Sequence, residues 1–481
     1  MKTIIIAVLS LIVQNVFSQI TFEKTFGDID DDFGSAIAVC FDGTYIFTGT
    51  VENIYTGDPD IFLAKLDPFG DTLWTRKYIN EYHYDYPHDI IQSYDSGYVI
   101  TGVTYLEDNK VPFILKYDAG GEISWFKKYE DEIPDGYGYA IVQKPDSGFM
   151  ICGERDFYKL RWYYRPYMLQ TNGDGNCTWH QVFEYFGEFA QYSAYSMCMS
   201  PENGYVLCGT HRNNLESNID QAWMFKVSDH NTVSWNIKYG YSDSTTSAAD
   251  VKLIPGGGYV FCGSIYYGSI IFPNWDINFY LVRTDLNGTE IWRKNIGHGD
   301  HEERGRSLDV CDDGGYIIGG ESDMGQDHDD ILLVKTNDAG DTLWTKSYGG
   351  VLNEELADIC VAPDGGFLIC GSTYSQGIGG SDIYIIKTDP NGVLTGINEK
   401  SAKRTGPVIV PNPGNGAGRL QSCYEYESYE IFDINGRLVR ESKCITGDKE
   451  TIDLGHLSRG VYLIRFKSST TSTSVKYIKS Y

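Results

Sequence analysis

The chain is short of positive charge. Against 66 Asp and Glu it carries only 39 Lys and Arg, a formal charge of −27 over 481 residues. From Arg404 onward there are 11 basic and 8 acidic residues, so residues 1–403 alone carry −30. A field of that sign repels nucleic acid and anionic membrane surfaces; it is compatible with neutral glycans, cations or basic proteins, and solubility alone also accounts for it. Beyond the first 18 residues no window comes near the roughly eighteen apolar residues of a membrane-crossing helix, so no transmembrane segment is expected. There is no C-x-x-C pair, which leaves a zinc ribbon unsupported. A G-x-S-x-G elbow, a phosphate loop and a dinucleotide fingerprint are also missing, and no cofactor is indicated.

What the chain does have is a repeat. A polar turn leading into a short apolar run that ends in glycine occurs as DGTYIFTG (42–49), DSGYVITG (95–102), DSGFMICG (146–153), ENGYVLCG (202–209), GGGYVFCG (256–263), DGGYIIGG (313–320) and DGGFLICG (364–371). Each is followed by a second element such as DILLVKTNDAGDTLW (330–344) or DIYIIKTDPNG (382–392). The closing glycines lie 51 to 57 residues apart, a period that belongs to propellers and arrays. The sixth unit reads as four strands, A near Ser307–Cys311, B at Tyr316–Gly319, C at Ile331–Lys335 and D at Thr342–Tyr348, with D-x-G turns favouring antiparallel hairpins. A lone sheet of this kind has nothing to bury its faces against, and radial stacking supplies the partner.

The seventh unit ends after Gly392 without its own Trp-x-Lys-x-Tyr strand, while Phe22, Lys24, Phe26 and Gly27 align on Trp344, Lys346, Tyr348 and Gly349. The spacing therefore predicts an all-β fold: a seven-bladed β-propeller over residues 19–396, closed by the N-terminal strand, which removes two open edges. Ahead of it, residues 1–18 read as a secretory signal peptide, with Lys2, an apolar core from Ile4 to Val13 and a small-residue cleavage site before Gln19. Export would permit disulfides. But Cys152, Cys208, Cys262 and Cys370 fall at one equivalent position in four units, too far apart to bridge, and with Cys198, Cys311 and Cys360 read as small buried hydrophobes.

The A–B and C–D turns are short, whereas the B–C and D–A connections vary in length and share the opposite face, where recognition usually sits. Aromatics concentrate in two of them: Trp162, Tyr163 and Tyr164, with Phe157 and Tyr158, in the third unit, and Tyr266, Tyr267 and Trp275, with Phe272, in the fifth. These six residues are the candidate ligand-binding set, and gap-filling between loops is the competing explanation. Candidate metal ligands stand at His298 and His301, with His83 and His88 on the equivalent loop after the first unit, at Asp28, Asp30 and Asp32, and around Asp327, His328, Asp329 and Asp330. The first lacks further ligands, and the second has Phe33 and Val39 where an EF-hand needs glycine and a bidentate glutamate. A solvated polar loop is the expectation for them, with no metal and no catalytic residue assigned. Asp89, Asp250, Asp309 and Asp358 recur at similar places on A strands, and recurrence points to a structural hydrogen bond rather than acid–base chemistry.

After Ile397 a polar, basic linker (397–406) leads to a different β pattern over 407–481, expected to be a small β-sandwich. VIVPNPGNG (408–416), YEIFDINGRLV (429–439), IDLGHLSRGVYLIRF (452–466) and VKYIK (475–479) resemble, in order and spacing, the type A C-terminal sorting domain of the type IX secretion system. The resemblance implies a Bacteroidota-type bacterium, recognition by the type IX secretion machinery, and release or attachment at the outer cell surface. Cys423 and Cys444 depart from the usual cysteine-poor pattern of such domains, and a local disulfide between them stays open. The functional expectation is a secreted or cell-surface binding module for a glycan or protein. The alternatives are a polysaccharide hydrolase or lyase with its site at the tunnel mouth, and a structural envelope component; fold alone cannot choose among them.

Overall fold

The computed structural model describes residues 20–479 apart from short stretches, chiefly 53–56, 159–161, 185–189, 214–218, 268–275, 298–300 and 395–407, and several segments of the C-terminal module. The signal-peptide reading (1–18), the linker, Cys423 and Cys444 lie outside the described residues. Every element among the described residues is a strand.

Each repeat folds into an antiparallel sheet whose strands pair in chain order. Sheet 1 comprises Asp32–Val39, Tyr45–Glu52, Pro59–Leu66 and Thr72–Tyr78, and sheets 2, 3, 4 and 6 begin at Asp85, Gly136, Ala190 and Glu303. In sheet 5 the first strand is split into Thr245–Thr246 and Asp250–Leu253. Sheet 7 has Glu354–Val361, Phe367–Thr373 and Asp382–Lys387 from its own repeat, and Phe22–Phe26 as its fourth strand. That strand runs antiparallel to Asp382–Lys387, with Phe22 opposite Lys387 and Phe26 opposite Ile383.

Local chemistry explains the hairpins. The turn carboxylates Asp95, Asp146, Asp313 and Asp364 each accept the N–H two residues on, and the turn residue between sits at positive φ, as at Gly314 and Gly365. At that turn position in five sheets the acid meets a lysine from the third strand: Lys65–Asp42, Lys116–Asp95, Lys226–Glu202, Lys335–Asp313 and Lys387–Asp364 all lie at 2.8–3.0 Å. The lysine shafts are buried and the carboxylates exposed, so the stem packs while the charge reaches water.

Among the described residues seven apolar clusters hold the sheets of the repeat together, and each is shared by two neighbours. Ile46, Leu63, Ile100 and Leu115 join sheets 1 and 2. Phe47, Ala64, Leu368 and Ile385 join sheets 7 and 1 in the same way. Fully burying one such side chain stabilises by about 1.5–3 kcal/mol, so each junction outweighs any of its polar contacts. In six of the seven sheets an aromatic residue of the outer strand also lies on a glycine in the last turn of the following sheet, as Trp292 on Gly340, Trp344 on Gly392, and Phe22 on Gly70. A Cβ at Gly392 would stand 2.8 Å from the Trp344 ring, and its φ of +69° independently favours glycine.

Two expectations change in detail. The first strand of sheet 6 begins at Glu303, four residues before the expected start, because an irregularity between Gly305 and Ser307 lets pairing resume beyond it. The segment 153–166 is an extended hairpin, Phe149–Tyr158 against Trp162–Thr171, so its aromatics stand on strands. Every described cysteine is a free thiol, with Cys152, Cys208, Cys262 and Cys370 fully buried as small apolar groups. The C-terminal module consists of two antiparallel sheets, Val408–Val410, Ala417–Gln421 and Thr451–Asp453 in one, and Leu438–Lys443, Ser428–Asp433, Gly460–Lys467 and Ser472–Lys479 in the other.

Candidate functional site

The first strands of the sheets share a feature that fixes where side chains project. In six of them the register slips by one residue at an equivalent position, leaving Ser35, His88, Tyr139, Tyr195, Arg306 and Ala357 outside the ladder. Such a bulge re-aims the extra side chain. In sheets 2 to 4 those positions are aromatic, and in sheets 2 and 3 so is the one two residues earlier, Tyr86 and Tyr137. Tyr137 and Tyr139 stack at 5.6 Å with their planes 5° apart, Tyr139 meets Tyr195 edge-on at 5.5 Å, and His88 lies 5.1 Å from Tyr139. Tyr86 and Tyr105 continue the group at 5.9 Å. Tyr86 and Tyr195 are each 37% exposed, so the cluster presents ring surface to solvent.

Polar groups frame these rings. The Tyr139 hydroxyl donates to Glu154 Oε1 at 2.9 Å, and burial pushes the Glu154 carboxyl above its usual range. Lys110 lies 4.7 Å from the centre of the Tyr137 ring and is paired with Asp156 at 2.6 Å. On sheet 6 the bulged residue is Arg306, bonded to Glu321 at 3.0 Å. The edge is therefore aromatic along sheets 2 to 4 and ionic at sheet 6.

One layer deeper lies a chain of hydrogen bonds between neighbouring sheets. Asp89 accepts from Ile141 N–H (2.8 Å), Ser196 from Val251 (3.3 Å), Asp250 from Leu308 (3.1 Å), Ser307 from Ile359 (3.3 Å) and Asp358 from Ile37 (3.0 Å). The recurrent aspartates thus act structurally. Asp309 is a correction: it stands two residues beyond that position, level with Lys252, and accepts from Val361 at 2.8 Å. Lys252 pairs with Asp250 at 2.9 Å and remains cationic, because Asp250, Asp309 and Asp358 more than offset its burial. Burial pushes Asp358 up to about 6 even with Lys252 nearby.

The residues singled out from the sequence are dispersed. Tyr164 is half-buried on the sheet 3 hairpin, where Trp162 and Tyr163 also belong to the strand. Tyr266 and Tyr267 are half-buried at the end of a sheet 5 strand, with Tyr267 bonded to Asn295, and Trp275 lies outside the described residues. His83 and His88 are tied by Nδ1 to the carbonyls of Tyr105 and Gly138, and His301 lies 3.4 Å from Asp323; His298 is outside the described residues. The 28–32 loop spends its carboxylates separately, Asp28 toward Lys77, Asp31 on Ser381 N–H, and Asp32 on the N–H groups of Asp28 and Glu52. Likewise Asp329 pairs with Arg304 while His328 faces Asp330. Among the described residues no three His, Cys, Asp or Glu side chains converge to hold a metal ion. The tyrosine cluster was missed because its sequence signal is faint: GYGY (136–139) and QYSAY (191–195) carry tyrosine at a bulged position that is Ser35, His88, Arg306 or Ala357 in other repeats.

Residues 408–480 match the family described as the secretion system C-terminal sorting domain. The chain is thus built as cargo of the type IX secretion system, a sorting domain behind a β-rich repeat region, and is recognised by that machinery for export to the cell surface or the medium. No described helix is long and apolar enough to cross a membrane. No curated protein matches the chain in sequence. Among solved structures it is similar to a protein of unknown function from Dyadobacter fermentans (10% identity, 76% of this chain, 97% of that one, TM-score 0.43). It is also similar to a polysaccharide lyase of the ulvan lyase family (11%, 77% and 97%, TM-score 0.47). A third is an α-L-arabinofuranosidase from Fusarium graminearum (10%, 77% and 98%, TM-score 0.45). Similarity at this level says nothing about this chain's own activity.

Proposed function

We propose that residues 19–396 form a closed seven-bladed β-propeller that serves, at the cell surface or released from it, as a binding module for a neutral glycan. In this reading residues 1–18 direct export, 397–406 link, and 407–481 form a sorting β-sandwich. Closure is supported by the junction of sheets 7 and 1, which repeats the apolar cluster, the inter-sheet hydrogen bond and the aromatic-on-glycine contact of the other junctions.

The observation that carries the ligand assignment is the cluster of Tyr86, Tyr137, Tyr139 and Tyr195 at the axial end nearer the long connections. Flat rings beside hydrogen-bonding groups suit sugar faces, and Tyr supplies such surface at little entropic cost. The acidic field of residues 1–403 disfavours anionic polymers. Of the residues singled out from the sequence, Tyr164, Tyr266 and Tyr267 belong to the same reading as an outer rim meeting a longer ligand. A catalytic reading needs two unlike acid–base groups facing a shared substrate position. The deeper aspartates instead accept neighbouring N–H groups, which favours binding without turnover.

The test is glycan-array binding of the mature chain, with turnover assayed on every hit. Tyr195→Ala and Tyr86→Ala should each weaken a hit about tenfold or more, the loss of one stacking face. Unchanged affinity in both variants would reject the site, and product formation would reject the non-catalytic reading.

A further inference from the structure

At the junctions before Asp32, Asp85 and Glu354, the acidic residue opening the first strand of one sheet faces the start of the third strand of the sheet before it, and the backbone donors differ. Between sheets 6 and 7, Glu354 receives the Gly350 N–H at 2.9 Å and the Thr373 hydroxyl at 2.7 Å. Between sheets 7 and 1, Asp32 receives the Asp28 N–H at 2.6 Å and the Glu52 N–H at 3.2 Å. Between sheets 1 and 2 the corresponding acid is Asp85, and the corresponding N–H, that of Asn80, is turned onto Asp60 Oδ1 instead, at 3.3 Å. Thr104 stands opposite Asp85 in the ladder, as Thr373 stands opposite Glu354.

Asp85 is 0% exposed, and neither of its carboxylate oxygens accepts a hydrogen bond. Thr104 Oγ1 and Asn80 Nδ2, also buried, likewise make none. Burial pushes the Asp85 carboxyl above its usual range; the Thr104 hydroxyl and the Asn80 amide, within hydrogen-bonding reach of it though not aligned on it, oppose the rise, as does Lys128 through space, and the Asp60 charge adds to it. A buried carboxylate on which no donor closes is costly, so Asp85 itself calls for a positive partner. Among the described residues the groups around the gap can all offer oxygen: two carboxylates, a hydroxyl and an amide that presents its oxygen when rotated. An oxygen-only set of irregular geometry selects a hard cation, and calcium accepts such sets more readily than magnesium.

We propose that Asp60 and Asp85, completed by Thr104 and Asn80, form a calcium site at the junction of sheets 1 and 2. Tyr84 and Tyr86 flank Asp85 in sequence, so the ion would also brace the strand that presents Tyr86. The site is independent of what the tyrosine cluster binds.

The experiment is calorimetric titration of the chelator-stripped mature chain with calcium chloride, paired with thermal unfolding in calcium or chelator. The wild-type chain should bind with a Kd of about 0.1–1 mM, the range of extracellular calcium modules, and unfold at a higher temperature in calcium. Asp85→Asn should abolish both effects, while Glu354→Gln, at the junction already closed by hydrogen bonds, should keep them. If Asp85→Asn does not fold, Thr104→Ala, which retains both carboxylates, should raise Kd several-fold. The proposal is overturned if the wild-type chain shows no calcium response, as a carboxyl pair sharing a proton would behave. It is equally overturned if Asp85→Asn keeps the response, or if Thr104→Ala leaves Kd unchanged.

Discussion

The Ile37 N–H donates to the Asp358 carboxylate at 3.0 Å, joining residues 321 apart in the chain. The same carboxylate accepts from Ile359 N–H and from the Ser307 hydroxyl, so one side chain ties three first strands together. Asp358→Ala leaves those buried donors unsatisfied and should cost about 2–4 kcal/mol. Urea unfolding should show a lower midpoint at unchanged slope; a shift below about 0.5 kcal/mol would mean that the bond contributes nothing to the junction.

The N-terminal strand invites a harsher test. Deleting residues 20–27 removes Phe22–Phe26 from sheet 7, bares the edge of Asp382–Lys387 and uncovers Gly70. The truncated chain should self-associate in size-exclusion chromatography and lose its single cooperative unfolding transition. A monomer with wild-type unfolding would show that the strand is dispensable.

Stability should also depend on pH through Asp32. Burial pushes its carboxyl up to about 8, with the Asp28 charge adding to the rise and the Asp28 and Glu52 N–H groups opposing it. Because the folded chain holds this proton more tightly than the unfolded one, the contribution to stability is full below about pH 4 and falls away between about 4 and 8. Asp382, pushed up to about 6 by burial, acts in the same sense over a narrower window. Asp32→Asn, which imitates the protonated form, should flatten the decline by a few kcal/mol between about pH 5 and 8 in chemical-denaturation series. An identical slope in wild type and variant would reject the assignment.

Lys335 separates packing from charge. Its stem is buried while its partner Asp313 is largely exposed. Lys335→Met keeps the stem and should cost under about 1 kcal/mol, whereas Lys335→Ala opens a cavity and should cost about 2–3 kcal/mol. Equal losses by thermal unfolding would mean that the ion pair carries the stability.

Legibility followed distance along the chain. The D-x-G turns, the apolar runs and the lysine of each third strand act over a few residues, so the hairpins could be read directly from the sequence. The pairing of Phe22–Phe26 with Asp382–Lys387 is long-range, yet legible, because an aromatic-x-Lys-x-aromatic strand was missing at one end and present at the other. The aromatics of 153–166 were misplaced because pairing continues past the glycine, from Gly153–Tyr167 out to Tyr158–Trp162, which no local signal announces.

By itself the sequence determined the strand repertoire, the turn chemistry, the free buried thiols and the export module, since these depend on nearest neighbours and on side-chain type. Only the tertiary structure decided that Tyr86, Tyr137, Tyr139 and Tyr195 share one surface, and that Asp85, unlike Asp32 and Glu354, lacks a backbone donor. Those relationships rest on bulges and on the direction of a single N–H at junctions between sheets, where residues about fifty apart in sequence meet and a small shift of register changes which partners face each other.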